Sequence, residues 1–163
     1  MGQTIAVISG KGGTGKTSLT ANVGMALAQL GYRVLCLDCD IGLRNLDIAL
    51  AMTDRAVMDF TDVMKRRCSL EDAVVPHPRQ KNLYLLTAPT RVSELDVDMD
   101  GFRSLFPAIK EQFDYCLVDA PAGLGLGFRL ATFCANSVVV VTTTDNSALR
   151  DAQRTVMELG FLP

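Results

Sequence analysis

The chain has 163 residues, 48% of them hydrophobic and 21% charged, with a formal net charge of −2. These values describe a single domain over 1–163 with room for a substantial core, globular rather than disordered. No basic block marks a nucleic-acid binder, no apolar run is long enough to span a bilayer, and the N-terminus enters a strand at once, without a signal peptide. The cytoplasm is the expected compartment.

In chain order, the β-branched run Ile5-Ala6-Val7-Ile8 predicts a first strand over 3–9. Gly10-Lys11-Gly12-Gly13-Thr14-Gly15-Lys16-Thr17 follows, satisfying the phosphate-loop pattern Gly-x-x-x-x-Gly-Lys-[Ser/Thr]. The glycines let backbone N–H groups turn inward on a phosphate, and a helix starting near Lys16 aims its positive end at the same point. Gly10 through Ser18 therefore form the candidate nucleotide-binding segment. In it Lys16 reaches the β- and γ-phosphates and the Thr17 hydroxyl ligates Mg²⁺. Lys11 is a second lysine in a loop that needs only one. It is either a solvated surface residue or a group that reaches across to a neighbour's nucleotide.

The first helix is predicted over 16–30, with Leu19, Val23, Ala26, Leu27 and Leu30 as its stripe and Gly31 as its C-terminal cap. A strand over 33–38 ends in Asp38-Cys39-Asp40. Chemistry collects at the carboxyl ends of strands in open α/β sheets, so these aspartates are candidates for the phosphate site, although aspartate is also common in solvated turns. Asp40, further out, is the candidate to orient the attacking water, and Asp38 to support the metal or the phosphate loop. Helices follow over 57–66 and, opened by Ser69 and Asp72 as an acidic capping box, near residue 70. His77, the only histidine, lies in a Pro-His-Pro surface loop with no catalytic partner nearby in sequence.

A strand over 82–87 precedes a helix over 102–113, whose stripe Phe102, Leu105, Phe106, Ile109 and Phe113 suits core packing. The strand 115–119 ends in Asp119 after an apolar run, the form of a Walker B element whose carboxylate holds Mg²⁺ directly or through water. Ala120-Pro121-Ala122-Gly123 then forms a turn suited to sensing a γ-phosphate through a backbone N–H. Helix 126–134, strand 137–142 and helix 147–160 complete the pattern. The stripe Leu149, Ala152, Val156 and Leu159 of the last helix suits packing on the sheet. Of the five cysteines, Cys36 and Cys39 form a C-x-x-C, but on a strand end positions i and i+3 face opposite ways, so Cys36 and Cys116 read as core rather than as a metal or redox pair. Strand–helix alternation gives a doubly wound, mostly parallel sheet with helices on both faces, a P-loop NTPase architecture.

The octet Gly10–Thr17, with its early lysine, resembles the deviant phosphate loop of the MinD/ParA ATPases. Asp38-Cys39-Asp40-Ile41-Gly42-Leu43-Arg44-Asn45-Leu46-Asp47 is similar to switch I of the MinD-type septum-site determining ATPases. Partition ATPases share its aspartates but usually lack the Gly-Leu-Arg-Asn-Leu-Asp continuation. Asp119–Gly123 is similar to switch II, with Ala120 where serine is more usual, and Ser147–Asp151 resembles the segment beside the family's dimer face. The resemblance runs from the first strand to the last helix.

It implies an ATP- and Mg²⁺-dependent switch in division-site selection. Lys11 contacts the partner's phosphates in an ATP-sandwiched homodimer, Lys16 binds phosphate, Thr17 and Asp119 serve the metal, and Asp40 serves the water. A MinC-like division inhibitor and a MinE-like activator are the implied partners, with no nucleic acid. Peripheral attachment to the inner face of the membrane would need a terminal amphipathic helix that family members carry and 147–163 does not replace. Family members are longer, so the chain reads as C-terminally truncated. A ParA-like partition ATPase, a flagellar-number ATPase and a nucleotide-dependent interaction module without turnover are the alternatives.

Overall fold

The computed structural model describes residues 1–91 and 97–160. Six strands form one sheet: β1 (Gln3–Ile8), β2 (Val34–Asp38), β3 (Val75–Pro76), β4 (Leu83–Leu86), β5 (Tyr115–Asp119) and β6 (Ser137–Val140), in the order β3-β4-β2-β5-β1-β6. All neighbours are parallel except β3 on β4. The doubly wound reading is borne out. The added strand β3 is two residues long, and its Pro76 sits on an edge, where a missing N–H costs no ladder bond.

The helices are α1 (Lys16–Gln29), α2 (Leu46–Ala49), α3 (Phe60–Met64), α4 (Leu70–Ala73), α5 (Met99–Arg103), α6 (Phe106–Gln112), α7 (Leu126–Phe133) and α8 (Asn146–Leu159). One core joins Ala6, Ile8, Leu35, Leu37 and Val118 of the sheet to Phe60, Phe102, Ile109 and Phe128; the other joins Val34, Cys36, Leu85 and Leu117 to α1 and α2. Cys36 and Cys39 fall in different cores, as strand alternation requires.

Several predicted elements change in detail. Helix 57–66 shrinks to α3 because Asp59 takes the cap position, accepting from the Thr61 and Asp62 amides while Asp62 accepts from the Asp59 amide. Ser69 and Asp72 form the expected capping box of α4. Helix 102–113 divides into α5 and α6 around Ser104 and Leu105, yet its whole apolar stripe is buried, with Phe60, Phe102 and Phe106 stacked edge to face.

Two stripes are corrected. On α1 the buried face is Thr20, Ala21, Gly24 and Ala28, whereas Leu19, Val23 and Leu30 are exposed. Small residues win because the helix lies close to the sheet: a Cβ on Gly24 would stand 2.6 Å from Cys36 Sγ. On α8, Leu149 and Val156 are exposed, and Ala148 and Thr155 turn inward. Gly31 does cap α1, at φ 95°, with its own N–H on Ala28 O and that of Tyr32 on Leu27 O.

The topology positions the site. From β1 the chain crosses to β2 on one side of the sheet, and β5 later crosses to β6 on the other. Such a reversal opens a crevice at the carboxyl ends of the strands, and the phosphate loop lies there, directly after β1.

Candidate nucleotide site

A cavity of about 520 Å³ opens between the phosphate loop and the two aspartate loops, lined by Ser9, Gly12 through Ser18, Asp40, Leu43, Asn45, Pro121 and Ala122. Gly13 and Gly15 hold φ of 75° and 86°, the left-handed conformation that winds the loop before α1. The loop therefore presents its amides together with the helix N-terminus, an arrangement suited to an anion.

The polar centre is buried. Lys16 Nζ donates to Asp119 Oδ1 at 3.0 Å, and Thr17 Oγ1 donates to Asp119 Oδ2 at 2.8 Å. Thr20 Oγ1 lies within hydrogen-bond distance of both Asp119 Oδ1 (3.1 Å) and Lys16 O (2.9 Å). Asp119 thus neutralises a lysine that would otherwise be an unpaired buried cation. The Thr17 hydroxyl and Asp119 carboxylate supply two adjacent oxygen donors, the type a hard divalent cation takes. Oγ of Ser9 and Oγ1 of Thr14, both on cavity-lining residues, are buried without partners. Their unused hydrogen-bonding capacity also suits a polar occupant.

The predicted residues separate into three groups. Gly12 through Ser18 and Asp40 line the cavity, and Asp119 lies beneath, bonded to Lys16 and Thr17. Gly10 and Lys11 do not line it. Gly10 is pressed against α8, where a Cβ would meet Asp151 O at 2.5 Å. The half-exposed Lys11 ammonium points along the surface to Asp145 Oδ1, 3.7 Å away. Asp145 also caps α8 by accepting from the Ala148 amide, and a hydrogen bond from Thr143 holds its carboxyl below the usual range.

Asp38 stands one layer behind the cavity wall. Its Oδ1 accepts from the Asp40 amide (2.8 Å) and its Oδ2 from the Leu46 amide (3.1 Å), so one carboxylate fixes the first aspartate loop and the start of α2. Burial pushes its pKa from 3.8 up to about 7, against those two bonds, with Asp119 and Asp40 adding to the rise. A folded value above the ordinary one means that the fold binds the extra proton, so stability falls as pH rises through that window. Melting of the nucleotide-free protein should therefore drop by several degrees from about pH 5 to about pH 8, and Asp38→Asn should flatten the trend. An equal slope in both proteins would dissociate it from Asp38.

The aspartate loops are tied to the sheet and to each other. Cys39 N–H donates to Asp119 O, Ala120 N–H to Val7 O, and Gly123 N–H to Ser9 O. Helix α7 presses on the second loop, since a Cβ at Gly127 would stand 2.3 Å from Pro121. His77 is half-buried: its Nδ1 accepts from the Arg79 and Gln80 amides and its Nε2 lies 3.0 Å from Leu50 O, which gives the ring a structural role in this loop. Sequence reading missed Ser9 and Thr20. Thr20 was legible as the residue one helical turn after Lys16, on the same face.

These features define a P-loop nucleotide-binding protein. Residues 2–160 match the AAA domain family, and the chain belongs to that family. Its homologues are septum site-determining MinD proteins. The Synechocystis MinD is 44% identical over 96% of this chain and 59% of its own length; that of Bacillus subtilis is 41% identical over 96% and 59%. Among solved structures, the MinC:MinD cell division complex of Aquifex aeolicus superposes with a TM-score of 0.87 at 42% identity, covering 97% of this chain and 63% of that one. MinD of Pyrococcus horikoshii with Mg-ADP superposes at 0.86 and 33% identity, covering 98% and 65%. The chain thus spans somewhat under two thirds of the length of these relatives. Among the described residues, no helix is long and apolar enough to cross a membrane.

Proposed function

We propose that the chain carries the nucleotide switch of a MinD-type ATPase. It binds Mg²⁺-ATP, forms a homodimer around it, hydrolyses it and so times division-site selection in the cytoplasm. The observation that carries this reading is the division of labour between the two lysines. Lys16 is buried on the cavity lining, bonded to Asp119 beneath it, whereas Lys11 lies outside the cavity, half-exposed, with Asp145 as its ion-pair partner among the described residues.

Within one chain, the loop amides and Lys16 hold the phosphates. Thr17 and Asp119 would hold Mg²⁺, with Asp38 behind them bracing the first aspartate loop. Bound there, the metal would neutralise phosphate charge. Asp40, on the cavity wall, orients the attacking water. The ammonium of Lys11 is free to exchange a surface contact of little energy for a partner's phosphate. By homology, the ATP dimer recruits a MinC-like inhibitor and is discharged by a MinE-like activator. Its membrane attachment, by the same homology, would be peripheral.

Lys11→Ala tests the dimer. It should leave Mg²⁺-ATP binding by the monomer intact and abolish ATP-dependent dimers on size-exclusion chromatography. Dimers persisting in the variant would refute the trans role of Lys11.

A further inference from the structure

Ser9 sits at the carboxyl end of β1, one residue before the phosphate loop. It is 1% exposed, and its Oγ has no hydrogen-bond partner. Several buried threonine hydroxyls avoid this state. Those of Thr20, Thr132 and Thr155 each reach the carbonyl one helical turn back. A serine at a strand end has no carbonyl one helical turn back, so its hydroxyl needs a partner from another segment, as Thr87 after β4 finds in Met58 O, or from a bound group. Thr4 on the same strand is also unpaired, so an orphan hydroxyl alone says little. Ser9 differs from Thr4 because it lines the nucleotide cavity, as the unpaired Thr14 of the loop also does, with Lys16, Asp40, Pro121 and Ala122.

Its place along that cavity indicates which part of a nucleotide it meets. The inner phosphates of a bound nucleotide would be wrapped by the loop amides that follow Gly12 and by the start of α1. Ser9 precedes the loop and shares the cavity wall with Asp40 of the first aspartate loop and with Pro121 and Ala122 of the second, the side from which Asp40 would direct a water at the outermost phosphorus. Its carbonyl also accepts the Gly123 amide at 3.3 Å, so its backbone is joined to the second aspartate loop.

We propose that the Ser9 hydroxyl is a ligand of the terminal phosphoryl group. It donates to a γ-phosphate oxygen, discriminates nucleoside triphosphate from diphosphate, and links that contact to the second aspartate loop through Gly123. This inference rests on the ATP-site reading above and adds a specificity residue to it.

The test is Ser9→Ala, titrated with Mg²⁺-ATP and with Mg²⁺-ADP by calorimetry, beside melting of the nucleotide-free protein. ATP affinity should fall by about 10-fold or more, the effect of one hydrogen bond to a charged group, with ADP affinity unchanged. Melting without nucleotide should stay level or rise, because an unsatisfied buried hydroxyl has been removed. Ser9→Cys, which keeps a weaker donor in similar volume, should fall between alanine and wild type. Undiminished preference for ATP in Ser9→Ala would overturn the proposal, as would equal loss of both nucleotides. If the wild-type protein bound neither nucleotide, the ATP-site reading itself would fail. Wild-type binding of both, with discrimination unaffected by Ser9→Ala, would remove this inference alone.

Discussion

Replacing Lys16 with alanine is expected to eliminate Mg²⁺-ATP binding, with a loss in affinity of more than roughly 100-fold. Lys16 is the one lysine among the residues lining the cavity, and its ammonium lies at the centre of the polar network. The substitution should also carry a stability cost without nucleotide. Asp119 is buried and would keep only the Thr17 and Thr20 hydroxyls, and breaking a buried pair from one side costs about 3–5 kcal/mol. The two effects can be separated. Lys16→Ala combined with Asp119→Asn should recover much of the lost melting temperature, since no buried charge is left unpaired, yet it should still bind no nucleotide. Retained ATP affinity in the single variant, measured by calorimetry, would dismiss the phosphate-loop assignment.

Asp40→Ala should do the reverse, leaving ATP affinity near wild type while hydrolysis slows by about 100-fold or more. Asp40 lines the cavity, and its backbone is pinned by the Asp38 carboxylate, which makes it a fixed acceptor for a water. Burial raises its pKa above the usual carboxylate value; Lys16 opposes that rise and Asp119 adds to it. Protonation removes the acceptor, so turnover should decline toward acid at a higher pH than an ordinary aspartate would give. Asp40→Asn should abolish that acid limb together with most of the rate. Unaltered steady-state turnover in Asp40→Ala would reassign the residue to loop structure.

Much of this site was legible because its chemistry is local in sequence. The octet Gly10–Thr17, the strand ends at Asp38 and Asp119, and the turn after Asp119 each announce themselves over a few residues, and the fold brings them together at the carboxyl ends of three neighbouring strands. What escaped depends on contacts distant in sequence. Helix α2 is four residues long, and Asp38 braces its first turn from eight residues away, so no periodicity signals it. The buried faces of α1 and α8 were misread because apolar content was taken as the guide. Closeness of approach decided instead, favouring Gly24 against Cys36 and Thr155 against Gly10. Ser9 looked like the last residue of a strand. Its burial without a partner beside the cavity, together with its carbonyl's bond to the Gly123 amide, singles it out.

The most direct test of the central claim is sedimentation of the purified protein with Mg²⁺-ATP, with Mg²⁺-ADP and without nucleotide. A monomer that becomes a dimer with ATP only is the expected result. A folded monomer whose sedimentation is the same in all three conditions would contradict it.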